Sequence, residues 1–176
     1  MTRRYDRDEL LAALSAAGVP YVLHTHKPVF TVEEAACETD HLPGAHIKNL
    51  FLKDKAGALY LVTCLHERRV DLNKLAKGLG AAKGRLSFAS EDVLWETLGV
   101  KPGSVTPLGL VNAGAGAIRF VLDNGVLEHD IVNPHPLQND ATLALSPADM
   151  TRVIESWGHT IEWLDLINFL RENDTL

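Results

Sequence analysis

Two apolar runs, His46 to Lys53 and Ala58 to Cys64, flank the tetrapeptide Asp54-Lys55-Ala56-Gly57. A short polar turn ending in glycine between two such runs predicts an antiparallel hairpin. Further strand-like stretches are expected at Tyr21–His26, Arg85–Ala89, Leu108–Val111, Ile118–Leu122, Thr142–Leu145 and Thr160–Leu164. Asp123-Asn124-Gly125 is read as a second hairpin turn, with Val126–Val132 as its return strand, because Asn and Gly tolerate positive φ. Helix signals are fewer. Asp6 with Glu9, and Thr31 with Glu34, have capping-box spacing. Asp71, Ser90 and Ser146-Pro147 mark three further helix starts. More strands than helices, joined by tight turns, predict an α/β (α+β) fold with a mixed or antiparallel sheet surrounded by helices. With 176 residues and no repeat or linker, residues 1–176 are expected to form one domain.

Composition narrows the function. No apolar run approaches the roughly 18–20 residues a bilayer span needs, and Met1–Asp6 lacks the apolar core of a signal peptide. A cytoplasmic chain with no membrane partner is expected. Seventeen Lys and Arg against 23 Asp and Glu give a net charge of −6, which argues against broad nucleic-acid binding. The charge is uneven, however. Arg68, Arg69, Lys74, Lys77, Lys83 and Arg85 crowd together, opposed only by Glu67 and Asp71. That stretch reads either as a phosphate-backbone footprint or as a solvated helix face. Cys37 and Cys64 form no CxxC pair, so neither a disulfide framework nor a zinc site is expected.

Three segments carry chemistry. In Pro102-Gly103-Ser104-Val105-Thr106-Pro107, two prolines restrict a backbone that glycine leaves open to close approach. Such a loop can aim N–H groups at an oxyanion, and it also fits a plain connection. Lys48 interrupts the apolar run Ile47–Leu52, where it either snorkels to solvent or serves a site. His135 lies between Pro134 and Pro136, a stiff setting for a base or an orienting group near neutral pH. Asn139 and Thr142 follow it with hydrogen-bonding side chains. His24, His26 and His41 offer a metal reading, but no HExxH or comparable motif accompanies them. Walker, Rossmann and GxSxG signatures are missing from the sequence.

At these residues the chain resembles the YbaK/prolyl-tRNA-synthetase-associated editing domain family, and most of all its freestanding members that deacylate mischarged alanyl-tRNA(Pro). The matching stretches are His46–Leu52, Arg85–Ser90, Pro102–Pro107 and His135–Asn139, with the Thr31–Ala36 helix start. The resemblance implies a mixed, partly barrel-like sheet and hydrolysis of the ester joining alanine to the terminal adenosine. It implies catalytic roles for Lys48, Gly103, Ser104 and His135. Thr31, Asn49, Thr106, Pro107, Asn139 and Thr142 would bind substrate, and the Arg68–Arg85 cations would bind tRNA. No cofactor and no metal are expected. The expected partners are the acceptor end of aminoacylated tRNA(Pro) and prolyl-tRNA synthetase. Asp140 departs from the small or hydroxyl residue of many relatives. Such an activity has a physical motive: a synthetase pocket rejects a smaller amino acid poorly, and a second, smaller pocket removes the error. The alternatives are a deacylase for cysteinyl-, seryl- or threonyl-tRNA, a non-catalytic module that binds the acceptor end, and a metal-dependent hydrolase built on His24, His26 and His41.

Overall fold

The computed structural model describes residues 4–172, and the side chains of all of these except Val32, Ala36 and Glu172. The expected hairpin is present: β2 (Ile47–Asp54) pairs antiparallel with β3 (Leu59–Leu65). Asp54 builds its turn. Its carboxylate accepts the Ala56 and Ala58 N–H groups at 2.9 and 3.0 Å, the distant Ala82 N–H at 3.0 Å and the Tyr60 hydroxyl at 3.2 Å. These donors, the Ala82 N–H foremost, hold the Asp54 carboxyl below its usual range.

The hairpin is the centre of a five-stranded sheet with β4 (Leu86–Phe88), β5 (Ile118–Asp123) and β7 (Ile161–Leu164), in the order β4-β2-β3-β5-β7. Its β2–β3 and β2–β4 pairs are antiparallel, and its β3–β5 and β5–β7 pairs are parallel. The sheet is therefore mixed. A second, two-stranded sheet joins β1 (Val22–Thr25) to β6 (Ala141–Ala144). Val132 links the two sheets by bridges to Ala45, just before β2, and Leu145, just after β6.

Strand alternation sorts the core into two layers. Phe51, Leu61, Leu65, Phe120 and Leu122 point to one face. There they pack on Leu10 and Leu14 of α1 (Arg7–Ala16), Leu94 and Leu98 of α4 (Glu91–Leu98) and Met150 and Ile154 of α5 (Pro147–Ser156). Leu52, Tyr60, Val62, Cys64 and Val121 point to the other, against Leu75 and Leu79 at α3 (Leu72–Gly78) and Leu166 of α6 (Leu166–Glu172). Covered on both faces, β3 reads as a nearly unbroken apolar run.

Two strand expectations fail for local reasons. Residues 108–111 form a 3-10 turn within Pro107–Asn112, because Thr106 caps it and accepts the Leu108 N–H at 3.3 Å. Asn124–Glu128 is also a 3-10 turn, capped by Asp123, so no return strand follows there, and β5 pairs with β3 and β7 in parallel. Helix α6 had no counterpart in the sequence reading. The capping boxes are both found. Asp6 and Glu9 exchange hydrogen bonds at the start of α1. Thr31 and Glu34 do so at the start of α2 (Val32–Thr39).

Candidate active site

Helix α4 stops at Gly99, and the chain turns at Lys101-Pro102-Gly103-Ser104. The Ser104 N–H donates to the Lys101 carbonyl at 3.0 Å, and Gly103 has φ +86°. Proline followed by a glycine of positive φ is the signature of a type II turn. A β-carbon on Gly103 would meet only the Asn139 amide nitrogen at 3.7 Å and the Val29 carbonyl at 3.8 Å. The dihedral, more than lack of room, calls for glycine here. The turn leaves the Gly103 N–H outside its own hydrogen bond, while the Ser104 N–H is spent inside it.

Two asparagines hold the surroundings of this loop. Asn49 donates to the Val105 carbonyl at 2.9 Å and accepts the Thr63 hydroxyl at 2.7 Å. Asn139 donates to the Val29 carbonyl at 2.8 Å, tying the segment after His135 to the segment before α2. Thr106 is fully buried and Pro107 opens the 3-10 turn behind it. Gly103, Thr106, Pro107, Asn49 and Asn139 thus belong to one connected structure.

The histidine lies in a neighbouring small hollow. His135 Nδ1 lies 3.0 Å from the Ala141 carbonyl. A carbonyl only accepts, so Nδ1 carries the proton and Nε2 of the neutral ring keeps its lone pair. Burial pushes the His135 pKa below the usual 6.5, with the Ala141 bond opposing and His26 assisting. The ring is therefore neutral at physiological pH. Thr142 is buried, and its hydroxyl lies 2.9 Å from His26 Nε2. His26 Nδ1 in turn donates to the Lys27 carbonyl at 2.8 Å, so both of its ring nitrogens are engaged. His46, His66, Asn133, His135 and Thr142 line a hollow of about 90 Å³ closed on one side by α2. Thr31 is the exposed cap of that helix.

Lys48 sits on the opposite face of β2 from Asn49, in register with Cys64. Its amine donates to the Arg68 carbonyl. Burial pushes the Cys64 thiol up to about 12, so that cysteine is an inert core group.

This arrangement can be set beside known proteins. A family model described as the aminoacyl-tRNA editing domain matches residues 26–153, a span that includes Lys48, the Pro102–Pro107 loop and His135. The chain belongs to the aminoacyl-tRNA editing domain family. The mouse prolyl-tRNA synthetase associated domain-containing protein 1 is 45% identical over 156 residues, 87% of this chain and 92% of that one. The prolyl-tRNA editing protein ProX of Acetoanaerobium sticklandii is 33% identical over 161 residues, 91% of this chain and 97% of that one. A crystal structure of a candidate trans-editing enzyme for prolyl-tRNA synthetase shares the fold. Its TM-score is 0.65 at 21% identity, covering 92% of this chain and 98% of that one.

The basic stretch of this editing domain is not one surface of idle cations. Arg68 donates to Asp123 at 2.9 Å, an ion pair that closes over the end of β5. Arg85 borders a shallow hollow with Lys53 and Lys55, while Arg69 and Lys74 border another beside Arg171. Lys77 and Lys83 are exposed. A larger hollow of about 760 Å³ lies outside the Pro102–Pro107 loop, with Phe30 and Trp95, neither part of a sequence motif, in its walls. Its signal was available. Phe30 precedes a capping box, and Trp95 lies off the Leu94–Leu98 stripe of α4.

No helix among the described residues is long and apolar enough to cross a membrane.

Proposed function

We propose that this editing domain hydrolyses the aminoacyl ester of alanyl-tRNA(Pro). One observation carries the reading: a glycine turn, braced by Asn49 and Asn139, stands in a family of tRNA editing domains. A neutral, half-buried imidazole, His135, stands four residues before Asn139 in the chain. Water attacks the ester carbonyl carbon and forms a tetrahedral oxyanion, toward which the Gly103 N–H is directed. His135 Nε2 accepts a hydrogen bond from the water or from the ribose hydroxyl beside the ester. The carbon–oxygen bond to the ribose then breaks, the ribose oxygen takes the proton, and free alanine leaves uncharged tRNA. Thr142 lines the small hollow, Thr31 caps the helix on its far side, Thr106 and Pro107 back the loop, and Ser104 fixes the turn through its backbone. Lys48 supplies a cation to the terminal phosphate by exchanging the Arg68 carbonyl for a phosphate oxygen. The Arg69, Lys74, Lys77, Lys83 and Arg85 side chains lie along the tRNA body, with prolyl-tRNA synthetase as a further partner.

The relatives' names support this reading, because ProX is called a prolyl-tRNA editing protein. The small histidine hollow favours a methyl side chain over a pyrrolidine ring. The test is a panel of tRNA(Pro) charged with alanine, cysteine, serine or proline, with Lys48→Ala run alongside. Alanine is released, proline is retained, and Lys48→Ala is slowed. Turnover of no ester overturns the reading. Faster release of cysteine or serine reassigns the substrate.

A further inference from the structure

We propose that the 760 Å³ hollow outside the Pro102–Pro107 loop receives the unpaired nucleotides preceding the terminal adenosine, which stack on Phe30 and Trp95. This rests on the reading that a charged tRNA is the substrate.

The location comes first. Pro102, Ser104 and Asn139 line this hollow, and all three belong to or touch the loop that carries Gly103. A strand lying in the hollow thus ends beside the turn to which the proposal assigns the oxyanion. A hollow of that volume far exceeds what an alanyl group fills, and it is in the range of nucleotide-sized ligands.

The chemistry of the walls comes second. Phe30 is 75% exposed and Trp95 is 47% exposed. Neither exposure follows from a loose backbone. The Phe30 N–H donates to Glu34 at 2.8 Å, inside the capping structure of α2. Phe30 occupies the position from which a hydrophobic residue packs down on the residue four places after the cap. That residue is Ala35, too small to hold a phenyl ring, and the ring stays in solvent. Trp95 is fixed on α4 next to buried Leu94. Exposed aromatic rings on rigid backbone suit base stacking, which tolerates any base because every base has a π-face.

Charge comes third. Arg4 lies 5.0 Å from the centroid of the Trp95 ring, and Lys101 lies at the rim beside Pro102. Arg7 is paired with Asp140 at 3.1 Å and is not counted. Against Asp6, a lining carboxylate engaged in the cap of α1, these two cations among aromatic rings suit a short stretch of phosphate backbone in a chain that otherwise carries a net charge of −6.

The test uses the full chain with Phe30→Ala, Trp95→Ala, the double variant and Trp95→Phe. Two substrates separate the effects: alanyl-tRNA(Pro), and 3′-O-alanyl-adenosine, which lacks the preceding nucleotides. Each alanine variant is expected to raise KM for the tRNA by about tenfold, within the range a stacked base supplies. The double variant raises it further, kcat stays within about twofold, and Trp95→Phe restores most of the loss. Hydrolysis of alanyl-adenosine is unchanged. In a second measurement, the uncharged trinucleotide CCA quenches tryptophan fluorescence of the wild-type chain, and Trp95→Phe removes the quench. Unaltered KM in the double variant, or equal losses on both substrates, overturns the proposal. So does a wild-type chain that shows no CCA quench, even if it hydrolyses the ester. Hydrolysis of neither ester by the wild type, with the quench intact, overturns the deacylase reading and leaves this surface supported. Loss of prolyl-tRNA synthetase binding in the variants, with CCA binding unaltered, overturns it in favour of a protein partner.

Discussion

Two hollows of this editing domain are built on opposite principles. The one at His135 is small, about 90 Å³, and beside Ala35, Ile47 and Asp40 its walls carry imidazole, amide and hydroxyl groups, several of them fixed by backbone carbonyls. The one outside the Pro102–Pro107 loop is about 760 Å³ and is walled by aromatic rings, prolines and cations. A small polar hollow with set tautomers is suited to chemistry on few atoms. A wide aromatic one is suited to holding a polymer by surface. The difference teaches that reaction and carriage need not share residues.

That division is open to attack at several points. The largest expected effect is His135→Ala, which should lower kcat by about 100-fold or more and leave KM for charged tRNA nearly unchanged. A mainly KM effect would move His135 to the carriage side. Its pH profile sharpens the point. Burial lowers the folded-state pKa, so the neutral, active ring persists below pH 6.5, and the acid limb of kcat falls below that value. The same sign governs stability. Below pH 6.5 the unfolded ring binds a proton that the folded ring refuses, so stability falls as pH drops.

A smaller effect is expected from Asn49→Ala. It leaves the Val105 carbonyl and the buried Thr63 hydroxyl without their partner, at about 1–3 kcal/mol. Because Asn49 holds Val105 in the loop that carries Gly103, activity on alanyl-adenosine and on tRNA should fall together. A loss on tRNA alone would contradict the shared role.

The smallest effect belongs to neither hollow. Asp54 has a lowered pKa, so its contribution is present above the usual 3.8 and is lost as pH falls through the folded value. Asp54→Asn should lower the Tm at neutral pH, and the difference from wild type should shrink in acid, as read by thermal melts. Activity per folded molecule should stay constant. A change in activity would mean that the hairpin turn communicates with the site.

Much of this molecule was legible in one dimension. The Asp6 and Thr31 capping boxes and the Pro102-Gly103 turn are set by neighbours within four residues, as is most of the Asp54–Gly57 turn, to which the distant Ala82 N–H adds one bond. The 108–111 strand was misread because Thr106 and Pro107 act before β propensity does. The return strand after Asn124 was misread because Asp123 caps a 3-10 turn, and β5 finds its partners at Leu59–Thr63 and Ile161–Leu164 instead. The basic stretch was read as a set, yet Arg68 is spent on Asp123, 55 residues away. Charge counts along a chain do not reveal ion pairs across it.

The sequence by itself determined the short-range features: caps, turns, the strand period and the motifs that mark an editing domain. These depend on φ preferences and on donors and acceptors a few bonds apart. Only the tertiary structure decided which face of β2 meets the Gly103 loop, which ring nitrogen of His135 is free, and that Phe30 and Trp95 share a hollow. Those facts depend on contacts between residues far apart in the chain. No local preference specifies them until the sheet is assembled and its two faces are covered.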